Sequence, residues 1–346
     1  MRKVLFVLIL LLVPAGLRAE ERPFPKGKST ASLGGLSWHV EMPAKWDPER
    51  EYSLLVCLHG AGATGESLAS WFEPLVPDDF ILLAPQAKGP AWNKPDVEIV
   101  RGVVKDLLPK LRIGAGRLHA TGFSSGGMHL PFLVFEDAPP FATVCFMGSG
   151  FGGGKVPARA KREMAALALV GSKDRFFGAA KETPKRLEGK VRRADFLSQE
   201  GLDHEIPDQL IPYYYSWLRA MEGRFHPGQD GSFPWIDDLE VAKETLSVSK
   251  APAFFFFFDE KDRDDADAKR FQIEVLLDPA VQEQGRLLTA VKVDRELEEE
   301  YFASLGLSKT PAVVVMKPGL VPAAKFEGKI DAKPLATALR AVAATR

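Results

Sequence analysis

Two adjacent serines lie in the glycine-rich stretch TGFSSGGMHL, at residues 121–130. Only Ser124 stands at the centre of a G-x-S-x-G pattern, because Gly122 and Gly126 flank it and Ser125 lacks a glycine two residues earlier. The strand-like run RLHATGF precedes the turn, and the helix-like run GGMHLPFLVFEDA follows it. Strand, sharp turn and helix is the context in which this pattern presents a nucleophilic serine. The sequence therefore predicts Ser124 as a nucleophile, and the alternative is a tight structural turn.

A serine hydroxyl needs a base, and the base needs an acid to orient it. In this context both partners follow the serine, in the order Ser, Asp/Glu, His. His204, in QEGLDHEIP after the strand-like RADFLSQ, is the predicted base, with His226 as a rival. Asp174, in GSKDRFF after the strand-like AALALVG, is the predicted acid. It is preferred to Asp203 because side chains adjacent in sequence point apart; the alternative for each residue is a solvated loop position.

The oxyanion of an acyl-transfer reaction needs two backbone donors. The stretch LHGAGATGES follows the strand-like SLLVC, and its small residues predict a close approach to the substrate through the N–H of Ala61. Ser125, the residue after the nucleophile, is the second predicted donor. His59 is interpreted as structural. Trp92, in PQAKGPAWN, is a candidate for lining the substrate cleft, and a structural tryptophan is the alternative.

Alternating strand-like and helix-like runs between residue 30 and about residue 223 must position these side chains. Several strand-like runs, such as SLLVCLHG and FILLAPQA, are almost continuously apolar, as in strands buried on both faces. This alternation predicts an α/β fold with a mostly parallel sheet covered by helices on both faces.

The segment 224–234, RFHPGQDGSFP, is rich in Pro, Gly and Asp and has no periodicity, which predicts a linker. A second pattern follows in residues 235–346: two strands in crossover units, then a hairpin and a terminal helix. This order predicts a small second α/β domain.

The first nineteen residues, MRKVLFVLILLLVPAGLRA, combine early basic residues, an apolar run and a small residue before an acidic pair. This pattern predicts a signal peptide over 1–19, a mature chain from residue 20, and export to the periplasm or the extracellular space. The apolar run is too short for a retained spanning helix, which is the alternative. With 45 basic and 46 acidic side chains, the sequence lacks the excess of positive charge that is typical of nucleic-acid-binding proteins. The two cysteines, Cys57 and Cys145, lie in apolar runs and are predicted to be buried free thiols.

The motifs LHGAGATG, GFSSGG, GSKD and GLDH resemble those of the α/β-hydrolase superfamily. The similarity is to exported esterases and polyhydroxybutyrate-depolymerase-like proteins, with dienelactone-hydrolase-like and carboxylesterase relatives. The resemblance implies a hydrolase domain over 20–223 with a Ser124, His204 and Asp174 triad and an oxyanion hole at Ala61 and Ser125. It also implies an accessible cleft for a small or polymeric ester, with no metal and no cofactor.

Residues 235–346 resemble a thioredoxin fold, in which Thr310-Pro311 stands at the position of the family's cis-proline. The sequence has no cysteine after Cys145, so this domain is predicted to be redox-inactive. Its cleft is a candidate for binding a peptide or a protein partner, and a purely structural appendage is the alternative.

The sequence predicts an exported serine esterase that acts on carboxylic esters through an acyl-enzyme. Two alternatives stay open at this point: a non-catalytic binding or scaffold protein with a hydrolase fold, and a serine peptidase that uses the same triad. Nucleic-acid binding is not expected, and neither is membrane attachment after removal of the signal peptide.

Overall fold

The computed structural model describes residues 24–47, 49–72, 76–136, 139–222, 233, 235–262 and 265–344. The predicted signal peptide at 1–19 lies outside the described residues, as do His226 and all of the predicted linker except Phe233. No helix in the described ranges has both the length and the apolar character needed to cross a membrane.

The larger of two sheets contains the first eight strands of the chain. They are β1 (Gly27–Leu33), β2 (Leu36–Met42), β3 (Tyr52–Leu58), β4 (Phe80–Pro85), β5 (Ile113–Phe123), β6 (Thr143–Met147), β7 (Ala165–Gly171) and β8 (Arg193–Gln199). Their spatial order is β1-β2-β4-β3-β5-β6-β7-β8. Strand β2 runs antiparallel to β1 and β4, and the other pairs are parallel. Every residue of β3, β4, β6 and β7 is buried, as their apolar runs predict.

Helices cover both faces of this sheet. They are α1 (Gly65–Phe72), α2 (Lys94–Leu111), α3 (Ser125–Val134), α4 (Ala160–Glu163), α5 (Phe177–Lys181), α6 (Thr183–Leu187) and α7 (Ile211–Met221). Alternate residues of β3 face opposite sides: Leu54 belongs to the apolar cluster that holds α2 and α3, and Leu55 to the cluster that holds α1 and α7. The predicted fold class, a mostly parallel α/β sheet with helices on both faces, is confirmed.

The smaller sheet and its helices comprise α8 (Leu239–Ser249), β9 (Ala253–Phe258), α9 (Ala266–Arg270), α10 (Pro279–Gly285), β10 (Thr289–Asp294), α11 (Glu299–Ser304), β11 (Ala312–Lys317), β12 (Val321–Glu327) and α12 (Ala332–Ala343). The four strands lie in the order β10-β9-β11-β12. Strands β9 and β10 are parallel, and β11 is antiparallel to both β9 and β12. The Thr310-Pro311 peptide bond is cis. The assignment of a thioredoxin-like domain stays a prediction.

The two sheets share one apolar cluster. It contains Tyr214 and Trp217 of α7, Leu246 of α8, Phe255 of β9 and Val291 of β10, all at most 1% exposed. Helix α8 therefore packs between the larger sheet and the smaller one, and its side chains belong to the core of both.

Both cysteines are free and buried, as predicted. Cys57 of β3 is in register with Thr121 of β5, and Thr121 is in register with Cys145 of β6. One strand thus separates the two thiols, which puts their Cα atoms about 9.6 Å apart at the usual strand spacing. That distance exceeds the reach of a disulfide, roughly 7 Å.

Candidate active site

Ser124 occupies the turn between β5 and α3 in a backbone conformation that is rare for a non-glycine residue. Its φ is 50° and its ψ is −113°. The Ser124 N–H donates to the carbonyl of Met147 at 2.9 Å, and the N–H of Met128 donates to the Ser124 carbonyl, also at 2.9 Å. Such a conformation costs about 1–3 kcal/mol and persists only where the surrounding structure holds it. Here β6 and the first turn of α3 hold it, at the carboxyl end of the parallel strands.

The glycines of the turn allow a close approach of backbone to backbone. A Cβ on Gly122 would lie 2.6 Å from the carbonyl carbon of Gly126 and 2.8 Å from the nitrogen of Gly127. A Cβ on Gly126 would overlap the carbonyl oxygen of Leu58 at the end of β3. Any larger residue would therefore push α3 away from the sheet and move Ser124 with it.

The structure brings Ser124, His204 and Asp174 into one hydrogen-bonded chain. Nε2 of His204 lies 2.9 Å from Oγ of Ser124, and Nδ1 lies 2.8 Å from Oδ2 of Asp174. A carboxylate can only accept, so Nδ1–H donates to Asp174 and leaves Nε2 to accept the serine O–H. The Asp174 side chain is fully buried, while 23% of the His204 side chain is exposed. This geometry can take a proton from the serine and stabilise the charge that results.

The second oxygen of Asp174 has its own partner. Oδ1 of Asp174 accepts the N–H of Phe176 at 2.8 Å, within the turn that follows β7. The carboxylate of Asp203 instead accepts the N–H of His204 at 2.9 Å. Asp174 thus accepts a hydrogen bond from the imidazole of His204, whereas Asp203 accepts one from the backbone N–H of His204. This agrees with the expectation that side chains adjacent in sequence point apart.

Two phenylalanines enclose the imidazole of His204. The ring centroids of Phe123 and Phe176 lie 5.1 Å and 5.2 Å from that of His204. Sequence reasoning missed both residues, although Phe123 precedes the predicted nucleophile and Phe176 comes two residues after the predicted acid. Phe123 stacks on the imidazole with an interplanar angle of 27°, and Phe176 contacts it at a tilt of 53°. Contacts with both rings restrict the motion of the imidazole while it reaches Ser124 and Asp174.

The loop after β3 lies beside the serine. A Cβ on Gly60 would lie 3.6 Å from the Ser124 Cβ, which places the exposed Ala61 close to Ser124. Ser125 is the first residue of α3, so its N–H has no acceptor within the helix. The positive end of the dipole of α3 also lies here. The arrangement fits an oxyanion hole, and the assignment of Ala61 and Ser125 to it stays a prediction.

His59 and Trp92 hold this loop in place. Nδ1 of His59 donates to the carbonyl of Gly60 at 2.7 Å, and Nε2 accepts the N–H of Ala87 at 3.1 Å. Burial lowers the pKa of His59, which favours the neutral ring that these bonds require. The Trp92 indole N–H donates to the carbonyl of His59 at 2.9 Å, and Trp92 is only 4% exposed. The structure thus gives Trp92 a packing position beneath the loop, which favours the structural alternative over a place in the cleft wall.

Within the described ranges, no three or more His, Cys, Asp or Glu side chains are grouped so that they could hold a metal ion. The side chains that meet at the carboxyl edge of the larger sheet are Ser124, His204 and Asp174. The sheet has the mostly parallel architecture of the α/β-hydrolase fold.

No protein-family model matches the chain. In sequence it is similar to the probable feruloyl esterase C of Aspergillus clavatus, with 28% identity over an alignment of 156 residues and coverage of 40% of this chain and 57% of that protein. The chain thus spans somewhat more than half the length of this curated relative.

Among solved structures, the chain is similar to TT1662 from Thermus thermophilus, with a TM-score of 0.43, 20% identity, and coverage of 57% of this chain and 99% of that one. It is also similar to Thermogutta terrifontis esterase 2 phosphonylated by sarin, with a TM-score of 0.46, 13% identity, and coverage of 59% and 99%.

Proposed function

We propose that the protein is a serine hydrolase that cleaves carboxylic esters through an acyl-enzyme. The observation that carries this proposal is the chain of hydrogen bonds from Ser124 through His204 to Asp174, with the serine held at a positive φ. The sequence similarity to a probable feruloyl esterase gives independent support.

In the first half of the reaction, Oγ of Ser124 attacks the carbonyl carbon of the ester while its proton passes to Nε2 of His204. The Asp174 carboxylate stabilises the imidazolium that forms. The N–H groups of Ala61 and Ser125 donate to the tetrahedral oxyanion. Collapse of this intermediate breaks the bond to the alcohol oxygen, which takes the proton from His204 and leaves.

In the second half, water replaces the alcohol. His204 takes a proton from the water as the water oxygen attacks the acyl carbon, and a second tetrahedral intermediate forms. Its collapse breaks the bond to Oγ, and the proton on His204 returns to Ser124. The products are a carboxylic acid and the free serine, so the cycle needs no redox cofactor.

For the substrate we propose a small or polymer-borne carboxylic ester, with phenolic acyl groups among those accepted. The name of the curated relative supports testing ferulate esters first. Hydrolysis of a peptide bond would use the same Ser124, His204 and Asp174. The assay panel therefore includes casein and a peptide p-nitroanilide, and cleavage of these without ester turnover would reassign the protein to the peptidases.

The decisive experiment measures hydrolysis of p-nitrophenyl acetate, p-nitrophenyl butyrate and methyl ferulate by residues 20–346. Ser124→Ala is expected to reduce kcat by at least about 10³-fold. Ser125→Ala is the matched control and should keep most of the activity, because its predicted role uses the backbone N–H. A fluorophosphonate probe should label wild type and Ser125→Ala but not Ser124→Ala. Equal turnover and labelling in all three folded proteins would overturn the proposal.

We further propose export, with removal of residues 1–19. The basic start, the apolar run and the small residue at position 19 support this proposal. Expression with the native leader should yield a protein outside the cytoplasm whose N-terminal sequence begins at Glu20. Retention of Met1 on a cytoplasmic protein would refute export.

For residues 235–346 we propose a thioredoxin-like domain without dithiol chemistry. The element order and the position of Pro311 support the fold assignment, and the lack of any cysteine after Cys145 supports the absence of redox activity. An insulin-reduction assay with dithiothreitol should give the uncatalysed rate, and a faster rate would contradict this proposal.

A further inference from the structure

Helix α3 turns one face to the sheet and another to the solvent. Its buried residues include Gly126, Gly127 and Leu130. On the other face, Met128 and Phe132 are 46% and 36% exposed, although both side chains are large and apolar. Residues four apart lie one above the other on a helix, so these two form a continuous strip, which we call the apolar face of α3. An exposed apolar strip beside a candidate active site indicates a binding surface.

The apolar face of α3 begins one helical turn after the candidate nucleophile. The N–H of Met128 donates to the carbonyl of Ser124 at 2.9 Å. Long side chains on a helix point back toward its N-terminus and cover the preceding turn. The side chain of Met128 therefore covers the turn that begins at Ser124, and that of Phe132 covers the turn around Met128. The ring of Phe132 contacts the ring of His129 at 5.9 Å between centroids, which agrees with this direction.

The apolar face of α3 and the imidazole of His204 lie on opposite sides of Ser124. Nζ of Lys94, at the start of α2, lies 5.5 Å from the centroid of the Phe132 ring. Helix α2 connects β4 to β5, and β3 lies between these strands, so α2 covers the β3 side of β5. His204 instead follows β8, which lies beyond β6 and β7 on the other side of β5.

This arrangement separates the two halves of an ester. In the proposed reaction, Nε2 of His204 gives its proton to the alcohol oxygen, so the alcohol must lie on the His204 side. The acyl group stays bonded to Oγ of Ser124 until water attacks, and its chain must extend away from the departing alcohol. On that side of Ser124 it meets Met128 first and Phe132 next.

We propose that the apolar face of α3 binds the acyl group of the substrate, which therefore belongs to the esters of acids with an apolar chain or ring longer than acetyl. This inference rests on the proposed ester hydrolysis and adds a substrate class to it. From Ser124 to Phe132, α3 extends about 12 Å at a rise of about 1.5 Å per residue. An acetyl group is too short to use this length, whereas an octanoyl or arylpropenoyl group can lie along it. The flexible thioether of Met128 suits apolar groups of different shape.

The first test compares two isomeric esters: methyl octanoate carries its apolar chain on the acyl side, and heptyl acetate carries it on the alcohol side. The face variant, Met128→Gln with Phe132→Gln, removes the apolar surface but keeps residues that favour a helix. The matched control, Ile273→Gln with Leu277→Gln, makes the same kind of change at two exposed apolar residues between α9 and α10. Hydrolysis by residues 20–346 is followed by titration of the released acid.

We expect the face variant to lower kcat/KM for methyl octanoate at least about fivefold more than for heptyl acetate, because each buried CH₂ group contributes about fourfold. The control variant should keep the wild-type ratio of the two values. Met128→Leu retains an apolar side chain of similar volume and should keep this ratio as well. Circular dichroism and the urea midpoint check that each variant is folded.

A second measurement does not need turnover. In a Ser124→Ala protein with carbon-13 in its methionine methyl groups, methyl octanoate should shift the Met128 resonance in a saturable way. Loss of one resonance in Ser124→Ala with Met128→Leu identifies that signal. Heptyl acetate should require a concentration at least about fivefold higher for the same shift.

Equal losses for the two esters in the face variant, or no shift of the Met128 resonance with methyl octanoate, would overturn acyl binding at the apolar face of α3. A larger loss for heptyl acetate would contradict it too and assign this face to the alcohol. A Met128 resonance that moves only with protein concentration would assign the face to contact between two copies of the chain. If no ester is turned over but methyl octanoate still shifts this resonance, the proposed hydrolysis fails while octanoyl binding stands.

Discussion

Replacing Gly122 by alanine tests whether the serine turn depends on close packing between β5 and α3. The added Cβ would lie 2.6 Å from the carbonyl carbon of Gly126, whereas ordinary contact begins at 3.4 Å. The first turn of α3 must therefore retreat by about 0.8 Å, because its backbone atoms cannot rotate out of the way as a side chain could.

This displacement should lower both the stability of the fold and the rate of turnover. Overpacking of this kind reduces the free energy of unfolding by about 1–3 kcal/mol. Ser124 and Ser125 move with the helix, and an error of about 1 Å in a reacting group can reduce turnover by roughly 10²-fold. We therefore expect Gly122→Ala to be less stable and to hydrolyse p-nitrophenyl butyrate roughly 10-fold to 10²-fold more slowly.

Gly102→Ala is the matched control for this substitution. Gly102 lies within α2, and no atom lies within 4 Å of the Cβ it would gain. This variant should be about 0.5–1 kcal/mol more stable than the wild type because alanine favours the helix. Urea denaturation followed by circular dichroism measures both changes, and the rate of fluorophosphonate labelling reports on the serine. Wild-type stability and labelling in Gly122→Ala would refute the packing argument.

Three further predictions concern the site and the buried groups. Asp174→Asn should lower kcat for p-nitrophenyl butyrate by about 10³–10⁴-fold, and Asp203→Asn should leave it nearly unchanged; similar losses in both would refute the assignment of the acid. Burial lowers the pKa of His59, so the unfolded imidazole takes up a proton before the folded one as the pH falls. Its contribution to stability is full above about pH 6.5 and declines below it, and His59→Gln should flatten the dependence of Tm on pH between about pH 7.5 and 5; an unchanged slope would contradict this. Burial raises the pKa of the Cys57 and Cys145 thiols, so a thiol reagent such as DTNB should modify neither in the native protein and both in denaturant; stoichiometric native labelling would count against their burial.

The elements with strong local signals could be predicted from the sequence. The apolar runs of β3 and β4 mark buried strands, and the glycines around Ser124 mark the turn. Because the carboxyl ends of parallel strands meet at one edge, placing Asp174 and His204 after two strands was enough to predict that they meet the serine. The structure brings these side chains together, and their catalytic roles remain predictions.

Other features have no signal within a short window of sequence. Strand β1, GKSTASL, is polar at most positions and exists because it pairs with β2 at the edge of the sheet. The short helix α10 was not predicted from the sequence. The contacts of Phe123 and Phe176 with the His204 ring join residues from three separate connections, which spacing along the chain cannot reveal.

The apolar cluster shared by the two sheets has a consequence for biosynthesis. Tyr214 and Trp217 of α7 are covered in part by Leu246 of α8, which is made later. During translation the earlier part of the chain leaves the ribosome first, so the larger sheet and α7 are complete while the side of α7 that packs against α8 is still uncovered. Until α8 is synthesised, these apolar side chains are exposed to solvent and can bind chaperones. A stop codon after residue 222 would make this exposure permanent. We expect such a truncated chain to be cleared by proteases or to aggregate rather than to persist as a smaller hydrolase.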